Sequence, residues 1–444
     1  MIANKIIKVG KTRWDRCTRN GSVRIGNKNL LFHTFSPLLQ SFQDVVTYTE
    51  ALKSYPDELT NAKMMTFRLI ESEKTIVPLM EKANSKQLNL HGQHSFQFEK
   101  DVVESVPILI DPCMDYTWYK QHREELSQIP ALPRELRNLI SSLIRLDKQE
   151  QTKKLSKPDA FQRQKKLYED FWHGLLSEPK KLADVVTRML ELQNAFGADI
   201  GLPPVPPIYS PKLLEVAKQI NKISKVIWTG ENCATYLVLT PEIMHSEGQI
   251  KLILDYLKDV DSKFIVIKIK NLELDKVSYV YERDMFKKIL ETVNGIKKYK
   301  NDDRVFVLLE AGLQFYPAMS GGFDVVSTSL RALDKDGAFG RSVNEGNGGW
   351  YDPKYLVVRS FQDVKKMFDL NGGLPCQCPV CSKMKKIAKR NEWNQKRREH
   401  YIYSASRLSN EISNFVEEQK IELAIEKLSK SALSNFKRLL PFVS

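Results

Sequence analysis

Cys376, Cys378 and Cys381, three of the chain's six cysteines, fall within six positions of each other. His400 lies nineteen residues beyond the last of them. An extended backbone puts Cys376 and Cys378 on one face, and the two-residue gap suits a knuckle that turns Cys381 toward the same point. Thiolates are soft ligands and imidazole is borderline, so three sulfurs and one nitrogen suit tetrahedral zinc. Four protein ligands leave no position for water, so the expected zinc is structural and any catalysis lies elsewhere. The other candidates are carboxylates at strand ends. Asp111 closes Ile108-Leu-Ile-Asp111, Glu310 follows the apolar run ending at Leu309, and Asp324 follows Gly321-Gly322-Phe323. Asp115 lies four residues past Asp111, and Tyr116, Trp118 and Tyr119 supply rings that stack on a base. Each has a plainer use as well: a turn cap, a solvent-facing carboxylate or core packing.

The elements that must carry these residues alternate. Strands are expected at 225–228, 236–239, 263–269, 304–309 and 323–326, with helices at 242–258 and 281–298 between them. Repeated strand–helix–strand order implies parallel pairing. With Ile108–Asp111, more than six strand candidates favour a (β/α)8 TIM-type barrel over an open sheet. Glu310 then falls on the rim where such barrels place their sites. The expected organisation has three parts. Residues 1–100 are strands and helices leading into the barrel. Residues 101–370 are the α/β barrel, with a charged helical insertion at about 120–180. Residues 371–444 are an inserted zinc-binding subdomain with C-terminal helices.

The 444 residues are 42% hydrophobic, enough for a sizeable core, and carry a formal charge of +14. That balance favours a polyanionic partner. Between Lys383 and Arg398 there are eight basic residues against one acid, Glu392. Lys385, Lys386, Lys389, Arg390 and Arg397 of this run are the expected phosphate contacts. No stretch of about twenty apolar residues is present. The start of the chain has no secretory pattern, and the other cysteines are far apart, so a cytoplasmic protein is expected.

Several blocks together resemble the tRNA/DNA-guanine transglycosylase family. Pro375-Cys-Gln-Cys-Pro-Val-Cys-Ser-Lys383 with a downstream His resembles its zinc motif, most in the archaeal style. Ser320-Gly-Gly-Phe-Asp-Val-Val326 resembles the Gly-x-Asp-x-Phe-Asp segment that carries the family's nucleophile, which the resemblance assigns to Asp324. Ile108-Leu-Ile-Asp111 resembles the strand ending in its second catalytic aspartate, and Phe196-Gly-Ala-Asp-Ile200 the strand leading to its base-reading acid. There are departures. Asp111 is followed by Pro-Cys-Met-Asp rather than Ser-Gly-Gly-Phe or Ser-Gly-Ser-Phe, no second acid follows Ile200, and Ser327-Thr-Ser-Leu-Arg331 replaces Pro-Thr-Arg-Asn-Ala-Arg. The Cys381-to-His400 gap is also shorter than in bacterial members. This divergent set is most similar to the DpdA branch, which inserts 7-cyano-7-deazaguanine into DNA.

The resemblance implies a pentosyl transfer. Asp324 attacks the sugar, guanine leaves, and the incoming 7-deazaguanine displaces the aspartyl ester, with Asp111 handling protons. Glu310, Asp115 and Trp118 are the expected base contacts, and Asp199 is structural. DNA is the implied polymer, guanine and 7-cyano-7-deazaguanine the small molecules, and DNA-modification proteins the accessory partners. Two alternatives stay open: the same exchange on tRNA, and a non-catalytic zinc-containing nucleic-acid-binding subunit.

Overall fold

The computed structural model describes residues 22–72, 105–118, 123–270, 288–297, 304–312, 318–330, 349–384 and 390–414. Within these, residues 130, 229–230, 245, 294, 320, 354–356, 360 and 375 are excepted. Val102 and three short strands within residues 7–20 are also described. Among the described residues no helix is long and apolar enough to cross a membrane.

Eight strands form one curled, parallel sheet: β1 (Thr34–Leu38), β2 (Met65–Arg68), β3 (Ile108–Asp111), β4 (Pro207–Ile208), β5 (Thr235–Leu239), β6 (Phe264–Ile269), β7 (Val305–Leu309) and β8 (Val325–Ser329). Their order in the sheet is β3-β2-β1-β8-β7-β6-β5-β4. β5, β6 and β7 are wholly buried runs of mainly branched residues, as strands covered on both faces require. Two isolated parallel bridges lie between the edge strands, Leu109 with Ile200 and Gly201 with Cys233. The mixed α/β class expected from the alternating pattern is thus present.

Helices cover the sheet: α1 (Phe42–Ser54), α2 (Arg134–Gln151), α3 (Lys157–Ser177), α4 (Pro179–Ala195), α5 (Pro211–Ile227), α6 (Glu247–Asp259) and α7 (Arg390–Asn414). α2, α3 and α4 fill the charged stretch that follows β3. The strand expected at 225–228 is instead the end of α5. Leu213, Leu214, Val216, Ala217, Ile220 and Ser224 are buried along it at helical spacing, and the buried Trp228 caps the helix while Val226 is 75% exposed. The expected strand at 323–326 begins two residues later, at Val325.

Strand register sorts the side chains. Paired residues in a parallel ladder share a face, and so do residues two apart. Tyr236 pairs with Val266, Lys268 with Leu309, Val307 with Val325, Ser327 with Ser36, Leu38 with Thr66, and Arg68 with Asp111. Tyr236, Lys268, Ser327, Ser36, Arg68 and Asp111 therefore all project from one face.

Gly201 sits where the chain passes between β3 and β5. Its N–H donates to Asn232 O at 3.0 Å, and its carbonyl accepts from Ala234 N at 3.0 Å. A Cβ there would lie 2.6 Å from two carbons of the Trp228 ring. Trp228 is buried at 1% exposure and has no room to recoil. Gly201→Ala is expected to cost about 1–3 kcal/mol through overpacking, read as a lower midpoint in urea unfolding.

Candidate functional site

A charged cluster occupies the ends of β2, β3, β6 and β7. Lys268 lies in the otherwise apolar β6 and is fully buried. Its Nζ stands 2.6 Å from Asp111 Oδ2, 3.2 Å from Asp115 Oδ1 and 3.0 Å from Glu310 Oε1. Lys270 Nζ, two residues on, is 2.6 Å from Asp115 Oδ2 and 3.6 Å from Glu310 Oε2. Arg68 closes β2 and donates from Nε to Glu310 Oε1 at 2.9 Å. Asp111 Oδ1 accepts from Tyr236 Oη at 3.0 Å and from Cys113 N at 2.9 Å. Tyr116 lies among the cations, with Lys268, Lys270 and Arg68 each 5.5–5.6 Å from its ring centroid.

Glu310 enters this cluster against the strand alternation. Leu309 already faces the site side, so the next residue in an extended chain would face away. Glu310 has φ 54, a left-handed value costly for a residue with a Cβ. The turn brings its carboxylate back over Lys268. Cys113 has φ 61 directly after the Asp111-Pro112 corner and bonds back to Asp111. Two non-glycine residues in this conformation flank one charge cluster.

The electrostatics follow from burial and pairing. Burial pushes the Glu310 pKa up, but Lys268, Arg68 and Lys270 outweigh that and hold it well below the usual carboxylate range. Asp115 is lowered in the same way, with Lys268 and Lys270 outweighing burial. Burial alone would lower the Lys268 pKa, yet Asp111, Asp115 and Glu310 raise it well above the ordinary value. Ionised carboxylates therefore face a charged ammonium. Glu310 is the most accessible carboxylate, with a side chain 18% exposed against 2% for Asp111 and 0% for Asp115.

The site thus unites Asp111, Asp115 and Glu310, but not Asp324. Asp324 precedes β8, and its side chain accepts from Phe306 N at 2.9 Å and from Lys297 Nζ at 2.7 Å. It is level with Phe306, three residues before Leu309, the partner of Lys268. That is about 10 Å along the strands, and alternation turns it to the opposite face. The motif itself explains the displacement. Aligned on its glycine, Gly322-Phe-Asp324-Val-Val-Ser327 places Asp324 at the third position of Gly-x-Asp-x-Phe-Asp and Ser327 at the sixth. Asp324 pins the start of two strands, and Ser327 faces the site side of the sheet.

Other expected contacts also move. Trp118 is not open to a base: it is buried, stacks on Tyr209 at 4.3 Å and meets Tyr168 edge-on at 5.3 Å. Arg397, expected on phosphates, is 2% exposed and donates from Nε to Asn394 Oδ1 at 2.8 Å. Lys385, Lys386, Lys389, Tyr119 and the Arg390 side chain lie outside the described residues. Asp199 is structural as expected, accepting from Lys28 Nζ at 2.7 Å and Ile108 N at 2.9 Å. Sequence reasoning missed Lys268, Lys270, Arg68 and Tyr236. The available signal was Lys268, a charge in the middle of Phe264-Ile-Val-Ile-Lys-Ile269.

The second centre is the cysteine knuckle. Cys376, Cys378, Cys381 and His400 each offer one donor atom, all within 4.8 Å of one another, and can hold one metal ion. His400 Nδ1 lies 3.3 Å from both Cys378 Sγ and Cys381 Sγ. His400 Nε2 is 2.7 Å from Tyr351 O, which fixes the N–H there and leaves Nδ1 free to ligate. The backbone N–H of Cys378 donates to Cys376 Sγ at 3.5 Å, and that of Cys381 to Cys378 Sγ at 3.4 Å. Trp350 stacks on the imidazole at 4.7 Å. α7 carries His400 and packs on the sheet through Tyr401, edge-on to Phe35 of β1 at 5.6 Å. Arg398 Nη1 ties α7 to Asp44 of α1 at 2.8 Å.

The chain matches no protein-family profile and no curated protein.

Proposed function

We propose that the chain is a base-exchange transglycosylase that replaces guanine in DNA with a 7-deazaguanine, of which 7-cyano-7-deazaguanine is the implied form. The observation that carries this is the convergence of Asp111 and Glu310 on one buried ammonium at strand C-terminal ends, the end where α/β enzymes bind ligands. Two carboxylates in contact with one Nζ are close enough for the double displacement of retaining sugar chemistry. On this reading the sheet is a (β/α)8 barrel, its ladder continued through the bridges of Ile200 and Gly201. Residues 371–414 belong to a zinc-binding subdomain.

Glu310 takes the role first assigned to Asp324. Its ionised carboxylate attacks C1′ of the deoxyribose and the bond to guanine N9 breaks. The Asp111–Lys268 pair delivers a proton to the leaving base and takes one from the entering base, which displaces the glutamyl ester. Asp115 holds Lys268 and Lys270 in place, and Tyr116 is the ring beside which the base lies. The three thiolates and His400 hold one zinc with all four positions filled, which stabilises the fold.

Labelled guanine offered with DNA or with tRNA tests the reading. Wild-type protein is expected to incorporate label into DNA, and Glu310→Gln to incorporate none while keeping its circular dichroism. Label entering only tRNA would select the RNA enzyme. A Glu310→Gln variant that exchanges at the wild-type rate would remove Glu310 from the mechanism. Ser327 in place of an aspartate, together with the mutual pairing of the site's charges, favours one other reading, a non-catalytic nucleic-acid-binding subunit. No incorporation into either polymer supports it.

A further inference from the structure

The helical hairpin after β3 has two properties that the site does not use. Residues 145–166 hold eight basic residues and three acids. Arg145, Lys148, Lys153, Lys154, Lys157, Arg163 and Lys166 are exposed, and none has an ion-pair partner among the described residues. Two of the acids are already engaged: Asp147 with Arg123 Nη1 at 2.6 Å, and Asp159 with Ser156 Oγ at 2.6 Å. Exposed lysines without partners hold strong hydration and a free positive field. Helix faces intended only for solubility usually interleave both signs.

The same hairpin exposes an aromatic ring. Phe161 is 47% exposed, one of four large hydrophobic side chains so exposed among the described residues. Its inner edge meets Trp118 at 5.9 Å. Trp118 ends the short helix Asp115–Trp118, whose first residue is in the charged cluster. The hairpin is fixed to that helix. Gln164 Nε2 donates to Trp118 O at 2.6 Å, and Thr117 Oγ1 and Tyr168 Oη are 2.9 Å apart. Lys165 Nζ lies 5.7 Å from the Tyr209 ring beneath them. The exposed ring and the free cations are thus rigidly connected to the rim of the site.

We infer that the α2–α3 hairpin is the nucleic-acid-binding surface of this protein: it grips a single strand beside the target base, with phosphates along its free cations and one unstacked base on Phe161. Cationic grooves with exposed aromatic rings bind single strands with little sequence preference, because every base has a π face. A duplex keeps its bases stacked and offers Phe161 nothing. The inference rests on the proposed function only for the polymer being nucleic acid. It assigns affinity to a different surface from the basic run at 383–398.

Two variants of the full chain test it: Lys153→Gln/Lys154→Gln/Lys157→Gln, and Phe161→Ala. The probe is a fluorescein-labelled twenty-residue oligothymidylate, with oligouridylate, a duplex and polyglutamate of equal length alongside. Circular dichroism and metal content confirm that each variant is folded. The triple variant is expected to bind the single strand at least about tenfold more weakly, with a log–log salt slope lower by roughly 2, near 0.7 per lost phosphate contact. Phe161→Ala is expected to weaken single-strand binding by about five- to 150-fold with little change for duplex. Preference between thymidylate and uridylate reports whether DNA or RNA is the natural strand. Unchanged affinity and slope in the triple variant overturn the inference, as does polyglutamate bound as tightly as the oligonucleotide. Base exchange is followed in the same samples. Exchange with unaffected binding by the variants discards the hairpin alone. Hairpin-dependent binding without exchange discards the enzyme reading alone.

Discussion

Cys378→Ser is expected to remove the metal and release α7 from the sheet. Purified wild-type protein is expected to carry one equivalent of zinc, and the variant close to none. Cys378 is the most connected of the three cysteines: its Sγ is 3.3 Å from His400 Nδ1 and accepts the Cys381 N–H, and its residue is 5% exposed. A serine hydroxyl is a hard, neutral donor that does not ionise at neutral pH, so the site loses a charge as well as a bond. Structural zinc is worth about 10–16 kcal/mol of apparent binding free energy in small zinc domains. Here a bound metal would join a four-residue turn, Pro379–Ser382, to a 25-residue helix. The helix then depends on its remaining packing, including Tyr401 on Phe35, Arg398 on Asp44, Ser406 on Glu58 O and Tyr403 on Tyr55. Limited proteolysis is expected to cut within residues 372–414 in the variant and to spare them in wild type. Full zinc occupancy in Cys378→Ser would falsify the ligand assignment.

This centre was legible in the sequence because ligand chemistry is local. Three thiolates at short spacing constrain one another whatever the fold does, and the missing fourth ligand had few candidates. The parallel sheet was legible for a related reason: buried strands are continuous apolar runs, and those at 236–239, 263–269 and 304–309 stand almost where the structure has them. The failure at 225–228 has the same origin. A short apolar run does not distinguish a strand from the last turn of a buried helix, and only the spacing from Leu213 to Ser224 does.

The charged cluster was half legible. Asp111 and Glu310 were recognised from their position at strand ends, which is a topological property. Their partners were not, because Lys268 and Arg68 reach them across strands far apart in sequence, and register decides which charges share a face. The assignment of Asp324 shows the cost of ignoring register. A strand-start and a strand-end carboxylate look alike in a sequence, but a parallel sheet puts them on opposite rims. Glu310 stands at a strand end, but its entry into the charged cluster depends on a left-handed backbone that no residue type announces.

Lys268→Met is the most severe single test of the cluster. It removes the one cation among the described residues that touches all three carboxylates, leaving Asp111, Asp115 and Glu310 in a buried space with Lys270 and Arg68 at its edge. Breaking a buried pair by deleting one partner costs about 3–5 kcal/mol, so the urea midpoint is expected to fall by a corresponding amount. The pH dependence carries a sign. Asp115 and Glu310 have depressed pKa values in the folded state, so their contribution is complete above the unfolded value of about 4 and is lost as pH falls through the folded values. Lys268 is raised, so its contribution is complete below about 10.4 and is lost as pH rises through its folded value. Between those limits the wild-type protein is expected to be most stable. In Lys268→Met the carboxylates repel one another, at least one takes up a proton, and stability rises as pH falls from 7 toward 5, a range over which these groups leave wild type level. Adding Asp111→Asn removes one of the repelling charges, so the double variant is expected to be more stable than Lys268→Met alone. A double-mutant cycle with no coupling between positions 111 and 268 contradicts the contact on which the proposed chemistry depends.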